Sequence, residues 1–122
     1  MLTGVGCDII EIGRMKKACE KEAFLLRVFT EEERRQADGR TSVLAGTFAV
    51  KEAVAKVLGT GFRSFMPIDV EVLRDDLGKP YVNLHGGAKR LAQEKVIRRI
   101  EVSISDTAEY AMAFAVGEGE EK

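Results

Sequence analysis

Residues 41–61, Thr-Ser-Val-Leu-Ala-Gly-Thr-Phe-Ala-Val-Lys-Glu-Ala-Val-Ala-Lys-Val-Leu-Gly-Thr-Gly, decide the fold. They read as one helix, with Thr41 or Ser42 as N-cap and the Gly59/Gly61 pair as the stop. At about 100° per residue the apolar side chains do not keep to one face. Leu44, Phe48, Ala55 and Leu58 form one stripe, and Val43, Val50, Val54 and Val57 form the next. Ala45, Ala49 and Ala53 make a third side, small enough for another segment to approach closely. A helix apolar all round is a buried one. Lys51, Glu52 and Lys56 nevertheless sit in its middle. Charges there cost several kcal/mol unless paired, hydrogen-bonded or bound to a metal. The ordinary use of a Glu–Lys pair at i, i+4 is a surface contact worth about 0.3–0.5 kcal/mol. The flanking stripes leave little solvent face for one, so Glu52 and Lys56 point to a functional cluster.

The 122 residues suit a single domain, 1–122, with one real core. A hydrophobic fraction of 45% and a charged fraction of 32% describe an ordinary globular chain. Nineteen basic residues against 20 acidic ones leave no global charge for nucleic acid, so an electrostatic partner must be met by a local patch. Cys7 and Cys19 have no metal spacing and make no disulfide framework, which suits reduced thiols. No apolar run approaches the ~18 residues of a membrane span, and no leader precedes a cleavage site. The cytoplasm follows by elimination.

Outward from the long helix, residues 2–12 read as a β-branched strand. Gly4, Gly6, Asp8, Ile10 and Ile12 share one side, and Val5, Cys7, Ile9 and Glu11 the other. Asp is disfavoured in strands, and the two glycines beside it allow a close backbone approach. Residues 14–27 look helical in one or two pieces. They are basic at Arg14, Lys16, Lys17, Lys21 and Arg27, a solvated face or a dock for an acidic partner. Thr30 and Glu33 fit a capping box.

After the long helix, residues 68–73 alternate as a half-buried strand, and residues 75–80 carry turn chemistry. Residues 81–84 return as the hairpin partner. His85, the one histidine, reads as a strand end. A short helix over 87–95 precedes two further strands, 96–105 and 110–116. In the last, Ala111, Ala113 and Ala115 line one face while Met112, Phe114 and Val116 pack the other. A charged tail, 117–122, reads as frayed. The order predicts an α+β fold, a mostly antiparallel sheet packed around a long central helix.

Asp8 in an apolar strand and Glu52 in an apolar helix are the carboxylates that stand out. Oxygen ligands without a histidine or cysteine cluster suit a hard cation. Two carboxylates with positions left over is the Mg²⁺ habit, the remaining ligands being waters and substrate phosphates. Lys51 and Lys56 flank Glu52 and could neutralise the same phosphates, giving a metal-assisted phosphoryl-transfer site.

The segments Gly4–Ile12 (GVGCDIIEI), Leu44–Gly61, Gly78-Lys79-Pro80 and Val102-Ser103-Ile104-Ser105 resemble the holo-[acyl-carrier-protein] synthase family nearly end to end. The resemblance implies transfer of 4′-phosphopantetheine from coenzyme A to a serine of apo acyl carrier protein, with release of adenosine 3′,5′-bisphosphate. It implies that Asp8 and Glu52 hold Mg²⁺ and that Lys56 lies near the diphosphate. Lys51, Gly59 and Gly61 belong to the same coenzyme A-binding segment. Arg14, Lys17 and Lys21 would dock the acidic carrier protein. A cytoplasmic homotrimer with sites between protomers is also implied, and neither nucleic acid nor membrane is expected as a partner.

Two positions depart from the family pattern. Ser105-Asp106 stands where Ser-His is usual, so proton removal from the serine would pass through a metal-bound water with Glu52 or Asp106 as acceptor. Thr47 stands where the family often has Arg, removing one cationic contact. Two rival readings follow. One is a Mg²⁺-dependent hydrolase of coenzyme A-like diphosphates, and the other a carrier-protein-binding module without catalysis. The basic helix argues against the first, and the retained Asp8, Glu52, Lys51 and Lys56 against the second.

Overall fold

A computed structural model describes residues 1–120. Strand β1 (Leu2–Glu11) leads into helices α1 (Ile12–Ala18), α2 (Glu22–Val28) and α3 (Glu31–Ala37), then the long α4 (Thr41–Leu58). A 3-10 turn (Pro67–Asp69) opens the hairpin β2 (Val70–Arg74) and β3 (Pro80–Leu84). Helix α5 (Gly86–Glu94) and the strands β4 (Ile97–Asp106) and β5 (Tyr110–Gly119) complete the described chain. The α+β expectation holds, with every strand pairing antiparallel.

Two sheets form where one was expected. The larger has the order β1-β5-β4 and the smaller is the β2–β3 hairpin. Side chains of Val82, Leu84, Ile97 and Ile100 line a cleft between β3 and β4. Strand β5 also outruns its predicted end. Residues 117–119 of the supposedly frayed tail pair with both neighbours, Leu2 opposite Glu118 and Ile97 opposite Gly119. Glu121 and Lys122, the end of that tail, lie outside the described residues.

Helix α4 is buried nearly all round, as its three stripes require. Its C-terminal half packs with Val70, Val72, Ala88, Ala92, Ala113 and Ala115 in the main core, while Leu44 and Ala45 join Met15, Val28, Phe29 and Ala37 in a second cluster. The small-residue side meets β1. A Cβ on Gly6 would strike the Ala53 carbonyl, and one on Gly4 would lie 2.9 Å from the Val57 carbonyl oxygen. The two glycines that precede Asp8 thus serve the approach of α4 itself. The helix begins at Thr41, but its N-cap is Arg40, without a side-chain cap. At its other end Gly59 takes the left-handed conformation at φ 82°, a position glycine fills without a Cβ penalty.

The basic segment takes the two-piece form of the expected helix, broken at residues 19–21. The Thr30–Glu33 capping box is present, Thr30 N–H donating to Glu33 Oε1 at 2.8 Å and Glu33 N–H to Thr30 Oγ1 at 3.1 Å. The outer face of the large sheet differs from expectation. Met112 and Phe114 do not pack inward but stand 43% and 45% exposed, beside Val5 and Ile9 at 58% and 63%.

Candidate active site

Alternation along β1 turns Asp8 to the helix side of an edge strand, and helical periodicity brings Glu52 and Lys56 to the same edge. Lys56 Nζ donates to the Cys7 carbonyl oxygen at 2.7 Å and lies 3.4 Å from Asp8 Oδ1. Lys56 therefore turns to β1, and the surface Glu52–Lys56 pair set aside in favour of a functional cluster is not among the ion pairs of the described residues. Burial raises the half-buried Glu52 carboxyl above the usual carboxylate range, the negative charge of Asp8 raises it further, and Lys56 opposes both. The two carboxylates lie close enough to repel, beside one lysine, although Glu52 is not among the residues that line the adjoining hollow. Asp8 and Lys56 line that hollow with Cys7, Ile9 and Met112.

The donor set can be tested against a divalent ion. Among the described residues no group of three or more His, Cys, Asp or Glu side chains is arranged to hold a metal ion by itself. The mutual repulsion of Asp8 and Glu52 is what a cation between them would relieve. Two carboxylates beside an open hollow fit Mg²⁺, which keeps waters and takes phosphate oxygens.

Ile9 lies on the rim of this hollow and also lines an apolar pocket with Ile10, Met15, Phe24 and Phe48. Arg14 lines that pocket and the neighbouring groove of about 610 Å³, where Lys17, Lys21 and Arg27 surround Ala18 and Phe24. A basic groove with an apolar floor therefore adjoins the carboxylate cleft. Gly59 and Gly61, both at positive φ, follow the C-terminus of α4 one turn beyond Lys56.

Lys51 does not face the cleft, which corrects its expected place near the diphosphate. The side chain is fully buried, and its ammonium donates to Glu33 at 2.8–3.0 Å, to the Pro67 carbonyl at 3.0 Å and to the Val70 carbonyl at 2.6 Å. Three protons meet three acceptor groups, leaving none for a ligand. Burial lowers the Lys51 ammonium from its ordinary value, and Glu33 counteracts the shift. The sequence flagged the need for a partner but not its identity, because the capping box already accounted for Glu33.

Asp106 is not brought to this cleft within one chain. Asp8 pairs across to Ala113 and on to Ile104, whereas Asp106 pairs with Ala111, which faces Ile10. Two strands and two residues separate the carboxylates, roughly 12 Å along the sheet. Asp106 instead lines an outer hollow with Ile9, Ser105, Thr107, Tyr110 and Met112. Its electrostatic neighbour is Arg74, a residue the sequence gave no reason to single out. Arg74 Nη1 donates to Thr47 Oγ1 at 2.7 Å, and Nη2 to the Val43 carbonyl at 3.3 Å. Gln36 clamps its backbone through N–H to Oε1 at 2.8 Å and Nε2 to the carbonyl at 3.0 Å. Burial and Arg40 lower the Arg74 guanidinium from its ordinary value, against Glu33 and Asp106. A guanidinium from β2 therefore rests on the hydroxyl of Thr47. His85 is the N-cap residue of α5, with Nε2 3.1 Å from Glu71 Oε1, apart from the cleft.

Comparison with known proteins places this geometry. The family model of the 4′-phosphopantetheinyl transferase superfamily matches residues 4–115. A holo-[acyl-carrier-protein] synthase from Lachnoclostridium phytofermentans is 51% identical over 118 residues, covering 97% of each chain. The crystal structure of holo-[acyl-carrier-protein] synthase from Neisseria meningitidis superposes with a TM-score of 0.87 at 34% identity, covering 97% of this chain and 99% of that one. The Helicobacter pylori synthase, solved in complex with coenzyme A, gives 0.83 at 30% identity over 93% of this chain and 99% of that one. This chain belongs to the 4′-phosphopantetheinyl transferase superfamily.

Proposed function

We propose that the protein transfers 4′-phosphopantetheine from coenzyme A to a serine hydroxyl of an apo acyl carrier protein, in a Mg²⁺-dependent reaction. The observation that carries this reading is that the Asp8–Glu52–Lys56 cluster connects, through the apolar pocket sharing Ile9 and Arg14, to the basic groove of Arg14, Lys17 and Lys21. A diphosphate needs the first, and a protein acceptor rich in acidic residues needs the second. The relatives named holo-[acyl-carrier-protein] synthase, and the coenzyme A held by one of them, support the same assignment.

Asp8 and Glu52 would hold the ion, which when bound draws charge from the diphosphate oxygens. Lys56 keeps a half-exposed ammonium at the same edge, placed to neutralise phosphate. Arg14, Lys17 and Lys21 orient the carrier so that its serine reaches the cleft. The serine Oγ attacks the phosphorus that bears the pantetheine. The bond from that phosphorus to the bridging oxygen breaks, and adenosine 3′,5′-bisphosphate leaves with that oxygen. Glu52 accepts the serine proton within the cleft. Gly59 and Gly61 leave room for the nucleotide beyond Lys56. Phosphoryl transfer of this kind asks the protein for position and charge more than for covalent chemistry.

Residues 1–122 act as one domain, and the working form is a cytoplasmic homotrimer. The exposed apolar face of Leu2, Val5, Ile9, Met112 and Phe114 supports self-association, since such patches mark interaction sites. Asp106 lies at the edge of that face, so it would serve catalysis only in a neighbouring protomer's cleft.

Incubation with coenzyme A, Mg²⁺ and an apo carrier protein, followed by intact-mass measurement of the carrier, tests the reading. A gain of one phosphopantetheinyl group is expected. Coenzyme A cleavage without that gain would instead favour the hydrolase, and carrier binding alone the non-catalytic module.

A further inference from the structure

Strand β2 pairs with β3 along one edge, and its other edge is paired by side chains. In an antiparallel ladder the N–H and C=O groups of alternate residues point to opposite sides. Arg74 lies opposite Pro80, which has no N–H to give, so Val70, Val72 and Arg74 turn their polar groups away from β3. Each of these residues meets a side chain there. The Val70 carbonyl accepts from Lys51 Nζ at 2.6 Å, and the Val72 N–H donates to Glu33 Oε2 at 2.8 Å. The Arg74 N–H donates to Gln36 Oε1 at 2.8 Å, and its carbonyl accepts from Gln36 Nε2 at 3.0 Å. Glu33 and Gln36 share one face of α3, at the i, i+3 spacing. Thr30, the N-cap residue of the same helix, donates from Oγ1 to Glu71 Oε2 at 2.7 Å.

Helix α3 thus takes the place of a third strand, pairing through side chains where a strand would pair through its backbone. The substitution matters because a two-stranded sheet is marginal alone and an open edge is a template for another strand. The strand that fits this edge is the same one from a second copy of the chain. Laid antiparallel about a two-fold axis at Val72, β2 sets Val72 against Val72, Val70 against Arg74 and Glu71 against Leu73. The outward N–H and C=O groups then face one another, and no like charges meet. Arg74 is tied to α4 through Thr47 independently of α3, so the edge keeps its place when α3 lifts.

We propose that α3 is a strap that closes the free edge of β2 against the β2 strand of a second copy, with Thr30 and Gln36 as its fastenings. The strap is independent of the reaction assigned to the cleft and of the outer face offered for self-association.

The test compares full-length wild type with Gln36→Ala, which removes both side-chain bonds to Arg74, and with Thr30→Ala/Gln36→Ala, which loosens both ends of α3. Each variant keeps the buried Lys51–Glu33 pair. In dilute protein, hydrogen exchange at the Arg74 amide is expected to be about tenfold faster in Gln36→Ala, the scale of one lost hydrogen bond. In the double variant the Val72 amide should quicken as well, while amides of the β1–β5 pair keep wild-type exchange. As protein concentration rises, sedimentation should show species larger than the wild-type assembly, and the β2 amides should regain protection in step. Wild-type exchange at Arg74 in Gln36→Ala would overturn the strap, as would exchange that quickens equally in the β1–β5 pair. Fast exchange without larger species would overturn it too, and so would larger species whose β2 amides stay unprotected. If the double variant does not fold, Gln36→Ala decides alone by the same two readings.

Discussion

Lys56 of α4 reaches across to β1, donating to the Cys7 carbonyl oxygen at 2.7 Å and standing 3.4 Å from Asp8 Oδ1. An ammonium in that position competes with any cation for Asp8 while offering its charge to a bound anion. The two roles separate in Lys56→Met. Turnover should fall by about 10²-fold, the scale of losing one charge-stabilising donor. Mn²⁺ affinity, measured by electron paramagnetic resonance, should hold or improve. Loss of Mn²⁺ binding in this variant would place Lys56 in the support of the metal site instead of at the phosphates.

Glu52 is held against its own stability. Burial and Asp8 raise its carboxyl in the folded chain, so the folded state binds a proton more tightly than the unfolded state, whose value is about 4.3. The folded form then carries more protons, and the stability of metal-free protein should fall as pH rises from about 4.3 through the raised folded value. Glu52→Gln should abolish transfer and, without metal, raise the melting temperature by a few degrees, on the order expected when a functional charge is removed. Calorimetry from pH 4 to 8 checks both the sign and the variant. A lower melting temperature for Glu52→Gln throughout would mean that Glu52 stabilises the fold.

The contact between β1 and α4 sets the distance from Asp8 to Glu52. A methyl group added at Gly6 meets the Ala53 carbonyl, which belongs to a buried helix backbone and cannot yield as a flexible side chain would. Gly6→Ala should therefore destabilise by about 1–3 kcal/mol, the cost of overpacking a core. Folded Gly6→Ala should also bind Mn²⁺ more weakly, because α4 must stand off from β1. Unchanged stability by urea titration would show that the two elements have slack at this point.

Much of this was legible in the residues, and the failures have physical causes. The all-round apolar pattern of residues 41–58 located the buried helix, and period-two alternation located the strands, because both periodicities are written in side-chain order. Charges inside that helix announced that something must pair with them. Alternation and period cannot say what lies across a tertiary gap. Lys51 and Glu52 are adjacent and both charged, yet about 100° of rotation sends one to Glu33 in the core and the other to Asp8 at a sheet edge. Arg74 left no trace at all, since an arginine at the end of a strand reads as solvent-exposed until Thr47 is seen beneath it. The outer face of the sheet, Ile9, Met112 and Phe114, alternates like a core strand although it is exposed, because period-two alternation says which residues share a face and not what covers that face.

Self-association at that face carries its own expectation. Phe114→Glu should shift sedimentation from trimer to monomer and remove transfer while the metal-free fold persists. If Asp106 serves a neighbouring cleft, mixing Asp106→Ala with Asp8→Asn protomers should restore part of the activity that Asp8→Asn lacks. A monomeric wild type with full activity would contradict both statements.

The joint grip of Asp8 and Glu52 on one divalent ion is tested most directly by Mn²⁺ titration of the wild type, Asp8→Asn and Glu52→Gln, read by electron paramagnetic resonance. One site per chain is predicted for wild type, with each single variant weakening it by about two orders of magnitude, within the range set by losing an essential part of a metal site. Wild-type affinity in either variant would contradict the shared site, and with it the account of how this cleft handles a diphosphate.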